Sequence, residues 1–127
     1  MHTIRLRNPW TADWLETLSP AQPRQSVVLY ERKFHAPTGL EHCSVELAVA
    51  WQDALPAALR IQLNERSLPL PAELAPLLII PISGQLLPFN TLQLEIELPG
   101  TLSRQSAGDP ACPPLSTLAE VTLRIAD

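Results

Sequence analysis

In residues 91–98 every even position is aliphatic, Leu92, Leu94, Ile96 and Leu98, and every odd position is polar, Thr91, Gln93, Glu95 and Glu97. A period of two puts all four aliphatic side chains on one face of an extended strand and all four polar ones on the other. Such a strand cannot bury its apolar face alone; it needs a sheet, and that sheet needs a second layer to cover it.

The same alternation recurs along the chain. Val45, Leu47, Val49 and Trp51 alternate with Glu46, Ala48 and Ala50; Leu59, Ile61 and Leu63 with Arg60 and Gln62; Val121, Leu123 and Ile125 with Thr122 and Arg124. In residues 27–34 the β-branched and aromatic content favours a further strand, with Val28, Tyr30, Arg32 and Phe34 on one face. Leu77-Leu78-Ile79-Ile80, between Pro76 and Pro81, reads as a strand covered on both sides or a strand end in the core, and Ile4 and Leu6 begin another near the N-terminus. Helix is scarce: Thr11 can cap a single turn through Ala12-Asp13-Trp14-Leu15-Glu16, which Pro20 and Pro23 prevent from extending. Residues 19–25 read as a loop, and residues 99–114, rich in Pro, Gly and Ser, as a long connection before the last strand. The expected fold is all-β: a jelly-roll sandwich of about seven or eight antiparallel strands, in a single domain spanning residues 1–127.

Composition narrows the function classes. With 46% hydrophobic and 17% charged residues the chain is too apolar for disorder, and no window approaches an uninterrupted membrane span. A formal net charge of -4 and a single lysine, Lys33, supply no field for a phosphate backbone, so neither nucleic acid nor membrane is expected as a partner. The first residues carry scattered charges and no apolar h-region, which points to the cytoplasm. There, Cys43 and Cys112 are expected as free thiols. The 14 prolines lie between apolar runs, where they stop strands and block edge pairing.

The order of the segments resembles a family. Tyr30-Glu31-Arg32-Lys33-Phe34 is similar to the Tyr-x-Arg-x-Phe strand of the galactose-binding-like jelly rolls that accompany glycoside hydrolases. Leu59-Arg60-Ile61-Gln62-Leu63-Asn64 resembles the strand leading into that family's Asn-Gly turn, and residues 82–96, with Asn90 before a Leu-rich strand, resemble its closing run. The likeness spans roughly residues 26–98. It implies the sandwich fold and a carbohydrate-binding or accessory role. Asn64 and Asn90 suit turns that need left-handed geometry or side-chain bonds to the backbone, but Glu65 replaces the family's usual Gly and leaves room for a turn of another type. Calcium is common in that family; Asp13, Asp53 and Asp109 are too scattered here for one, and no metal or cofactor is expected.

The candidate ligand-binding residues are Trp10, Trp14, Arg32 and Asn64. Trp10 and Trp14, by a loop and a helical turn, serve either as packing or as aromatic platforms for a sugar or a partner, whereas Trp51 continues a buried strand face. Arg32 shares a face with Tyr30 and Phe34, so its guanidinium needs an ion pair, a cage of backbone carbonyls or a polar ligand. Glu46, Glu95 and Glu97 read as solvated strand-face charges and not as a glycosidase pair. His2, His35 and His42 form no metal motif, and Ser83 sits in no nucleophile elbow. Three functions then compete: a non-catalytic carbohydrate-binding or accessory module, a structural or protein-interaction sandwich acting as a homo-oligomer or against a neighbouring domain, and, least favoured, a self-contained hydrolase.

Overall fold

The computed structural model describes residues 2–7, 9–15, 27–98 and 113–126. Nine strands are present among them: β1 (His2–Arg5), β2 (Thr11–Leu15), β3 (Val27–His35), β4 (Ser44–Trp51), β5 (Ala58–Leu63), β6 (Arg66–Ser67), β7 (Leu77–Pro81), β8 (Phe89–Glu97) and β9 (Ala119–Ala126), with a 3-10 turn at Leu115–Thr117 before the last. They form two antiparallel sheets, one of order β1-β9-β4-β7 and one of order β2-β3-β8-β5-β6. The fold is therefore the expected all-β sandwich.

Alternation accounts for the core. On β8, Leu92, Leu94 and Ile96 are buried, and on the paired β3 so are Val28, Tyr30 and Phe34. Ile61 and Leu63 of β5 extend this face. The opposing layer supplies Leu47, Val49 and Trp51 of β4, Leu78 and Ile80 of β7, and Val121, Leu123 and Ile125 of β9. Tyr30 is wholly buried, and its hydroxyl donates to the carbonyl of Pro113 at 2.6 Å, tying the middle of β3 to the segment before β9. A buried phenol needs such an acceptor.

Three expectations change. The helical turn at Thr11 is absent: residues 11–15 form β2, paired with β3 through Thr11 opposite Glu31 and Trp14 opposite Val28. The run Thr11-Ala12-Asp13-Trp14 alternates with the strand period, and the edge of β3 offers ladder bonds that a single capped turn cannot match. Together with the two-residue β6, this brings the count of strands to nine among the described residues. Second, β7 is covered on one side only. It is an edge strand whose Leu78 and Ile80 enter the core while Leu77 and Ile79 stand 44% and 40% exposed. A two-layer sandwich has no third layer to cover that face, and Pro81 suits an edge position.

The third change concerns the β5–β6 hairpin. Asn64 and Glu65 both adopt positive φ, 52° and 69°, the left-handed pair that a type I′ turn requires. The turn keeps the geometry that Asn-Gly would take, with glutamate where glycine would be unstrained. The loop at residues 19–25, nearly all of the 99–114 connection and Cys112 fall outside the described residues. Cys43 is described, and its thiol donates to the carbonyl of Gly39 at 3.6 Å.

Candidate functional site

The chain passes from β1 in one sheet to β2 in the other across the edge of the sandwich, and two of the four candidate residues meet at this crossover, Trp10 on it and Arg32 reaching it from β3. Leu6 closes the ladder after β1 by donating its N–H to Val121 O at 2.9 Å. The indole N–H of Trp10 then donates back to Leu6 O at 2.8 Å, which holds the ring in one orientation although it is only half-buried. From the other sheet Arg32 reaches the same crossover: its Nε donates to Arg7 O at 2.5 Å and its Nη1 to Lys33 O at 3.2 Å. Of the options open to this guanidinium, the structure shows backbone carbonyls.

Two clefts flank the crossover, and Arg5 and Leu6 line both. The first, of about 310 Å³, has Trp10 on its wall with Arg7, Gln52, Ser116 and Glu120 around it. The Arg5 Nε and Glu120 Oε1 lie 3.2 Å apart, so the one carboxylate that lines this cleft among the described residues is already paired. Arg7 makes no ion pair among the described residues. The cleft thus presents an apolar ring, a guanidinium, an amide and a hydroxyl. That set can hold a polar ligand with one apolar face. The second cleft, also about 310 Å³, is lined by Arg32, Ile4, Phe34 and Leu123.

Trp14 lies elsewhere, on the inner side of β2 and packed against the core. Asn64 lies beyond the β5–β6 ladder, bound to a second asparagine. Its Nδ2 donates to Asn90 Oδ1 at 2.9 Å, and its Oδ1 accepts from Thr91 N at 2.8 Å. Asn90, wholly buried, also accepts from Leu87 N at 2.8 Å and donates to Leu87 O at 2.7 Å. Asn64 and Asn90 thereby lock the hairpin onto the start of β8. The structure brings Trp10 and Arg32 to opposite sides of one crossover and leaves Trp14 and Asn64 apart from them.

The three glutamates weighed as acids also separate. Glu95 and Glu97 are on the outer face of β8, with Glu95 Oε2 at 3.8 Å from Arg60 Nη1, whereas Glu46 is on the outer face of the opposite sheet. Among the described residues no three His, Cys, Asp or Glu side chains converge as a metal site would need. No described helix is long and apolar enough to cross a membrane.

Residues that sequence reasoning missed are of two kinds. Arg7, Gln52 and Ser116 come from three distant segments and carry no motif; only folding assembles them around Trp10. Phe89 and His35 did leave a signal. Phe89 falls on the odd, polar side of the β8 alternation, and the structure leaves it 50% exposed with its ring centroid 4.9 Å from that of His35.

No protein-family model matches the chain, and no curated protein matches it in sequence. Among solved structures, it is similar to the β-D-mannosidase from Dictyoglomus thermophilum, with a TM-score of 0.64 at 11% identity over 98% of this chain. The match covers 22% of the mannosidase, so the chain spans about a fifth of that enzyme's length. At that identity the likeness establishes the shared sandwich fold.

Proposed function

We propose that this chain is a non-catalytic accessory module that binds carbohydrate in the Trp10 cleft. The observation that carries the reading is Trp10 itself: an indole held by its own N–H on Leu6 O, half-exposed on the wall of a cleft that also offers Arg7, Gln52 and Ser116. The apolar C–H face of a pyranose complements such a ring, and its hydroxyls complement the guanidinium, amide and hydroxyl beside it. The likeness to part of a β-D-mannosidase supports an accessory role, and makes mannose-containing sugars the first to try. Among the described residues the cleft holds a single carboxylate, already paired, which supports a binding role over a hydrolytic one.

The test is ligand-observed NMR with thermal-shift measurements against mannose, β-1,4-linked mannobiose and mannohexaose, and their glucose counterparts. Saturable binding is expected, weakened roughly tenfold in Trp10→Ala through loss of the stacking face. Absence of binding across the set overturns the reading. A second reading, a protein-interaction sandwich, is favoured by the exposed Leu77 and Ile79 on the free edge of β7. A defined oligomer by light scattering, with no sugar bound, would select it.

A further inference from the structure

The outer face of the five-stranded sheet carries a feature separate from the Trp10 cleft. Along the β3–β8 ladder three outward-facing pairs follow one another: His35 opposite Phe89, Lys33 opposite Thr91, and Glu31 opposite Gln93. The first pair is an aromatic contact, with rings tilted by 60° and Phe89 half exposed. The second and third pairs, with the Asn64-Glu65 turn at their rim, line an open groove of about 400 Å³.

The groove is held in shape. Gln93 Nε2 donates to Glu31 Oε2 at 2.8 Å, which fixes the amide and leaves its oxygen available as an acceptor. The rim is pinned to the floor twice, by Asn64 N donating to Thr91 O at 2.9 Å and Thr91 N donating to Asn64 Oδ1 at 2.8 Å. The positive φ of 69° at Glu65 is the strained point of this rim, and it places a carboxylate on the groove where glycine would supply none.

From Phe89 to Gln93 the strand advances about 14 Å, longer than one pyranose ring. The chemistry along that length runs from an exposed aromatic face to alternating donors and acceptors: an ammonium, a hydroxyl, an amide and two carboxylates. A polyanion would meet Glu31 and Glu65, and an apolar chain would strip water from charged groups without replacing its hydrogen bonds. A neutral polyol satisfies both halves, stacking a ring on Phe89 and exchanging hydroxyl hydrogen bonds with Lys33, Thr91, Gln93 and the carboxylates.

We infer that this sheet face is an extended binding groove for a neutral oligosaccharide, with the Phe89–His35 pair as its aromatic end. The inference deepens the carbohydrate-binding reading and rests on it for the ligand class, but it assigns a site that shares no residue with the Trp10 cleft. A groove of this length discriminates by chain length: a hexasaccharide spans platform and polar row, while a monosaccharide reaches one or the other.

The experiment is a titration of the whole chain with the hexasaccharides named above, followed by amide chemical-shift mapping in the native protein and in the Trp10→Ala, Phe89→Ala and Gln93→Ala variants. Shifts are expected at Lys33, Glu65, Thr91 and Gln93 in addition to those around Trp10; the affinity read at the groove amides is reduced roughly tenfold by Phe89→Ala, whereas Trp10→Ala weakens only the shifts around its own cleft. Gln93→Ala, on an exposed face, gives a second reading should Phe89→Ala disturb the start of β8; retained native dispersion certifies both. Shifts confined to the neighbours of Trp10 and abolished by Trp10→Ala overturn the groove and leave the module reading standing. Shifts at the groove alone overturn the Trp10 cleft as the site, and no shifts with any hexasaccharide overturn both.

Discussion

Asn90 and Arg32 occupy equivalent positions, each a polar residue on an inward-facing site of adjacent strands, yet they are accommodated in opposite ways. Asn90 is wholly buried, and its amide is consumed by bonds to Leu87 N, Leu87 O and Asn64 Nδ2. Arg32 is half-buried at the sandwich edge, borders a cleft, and bonds to the carbonyls of Arg7 and Lys33. A neutral amide can be taken out of water when every donor and acceptor is matched inside the protein. A guanidinium keeps its charge, so it survives on an inner face only where an edge leaves it partly hydrated. The first position staples loop to strand, and the second steers the crossover on which Trp10 sits.

That contrast can be broken by substitution. Asn90→Ala removes an acceptor from two donors and a donor from one carbonyl in a site water does not reach, so urea denaturation is expected to show a loss of about 3 kcal/mol. A loss below about 1 kcal/mol would mean that water enters and replaces the amide, and the two positions would then be alike. Arg32→Met keeps the apolar stem and removes the guanidinium. Because Arg7 O and Lys33 O lie at the edge and regain water, the expected loss is only about 1 kcal/mol. A loss equal to that of Asn90→Ala would show the crossover to be as dry as the core.

The smallest effect sharpens the comparison from the side of the turn. Glu65→Gly relieves the left-handed strain at φ 69° but adds chain entropy to the unfolded state, so a gain of about 0.5 kcal/mol is expected in the same denaturation assay. A gain confirms that the Asn64–Asn90 bonds hold the hairpin against the preference of its own second residue. A loss would mean that the Glu65 side chain itself supports the rim of the groove.

How far these features were legible follows from how local their causes are. The faces of β4, β5, β8 and β9 are legible because alternation is a property of neighbouring residues, and the structure buries the aliphatic positions on each except Leu59 of β5, which is partly buried. The need for a partner at Arg32 was equally legible, since a charge among Val28, Tyr30 and Phe34 must be compensated wherever the chain goes. β2 is not legible locally, because a threonine that can cap a turn is also a good strand residue. Only the presence of the β3 edge decides between the two. At the Asn64 turn, Glu65 in place of glycine leaves room for another turn type; the structure keeps the left-handed pair, with Asn64 bonded to Asn90 and Thr91 far along the chain.

The alternating pattern dictates an all-β chain with one-sided strands, and thereby a two-layer core, because each apolar face must find cover. Which strands lie at the edges, leaving Leu77 and Ile79 in water, and which segments meet as Arg7, Gln52 and Ser116 do around Trp10, is settled by sheet order. So is the tilted contact of Phe89 with His35 beside Lys33 and Gln93, which depends on the β3–β8 register. Burial is a one-residue property that leaves a period in the sequence, while a site is a many-residue property assembled by pairing choices that no single segment contains.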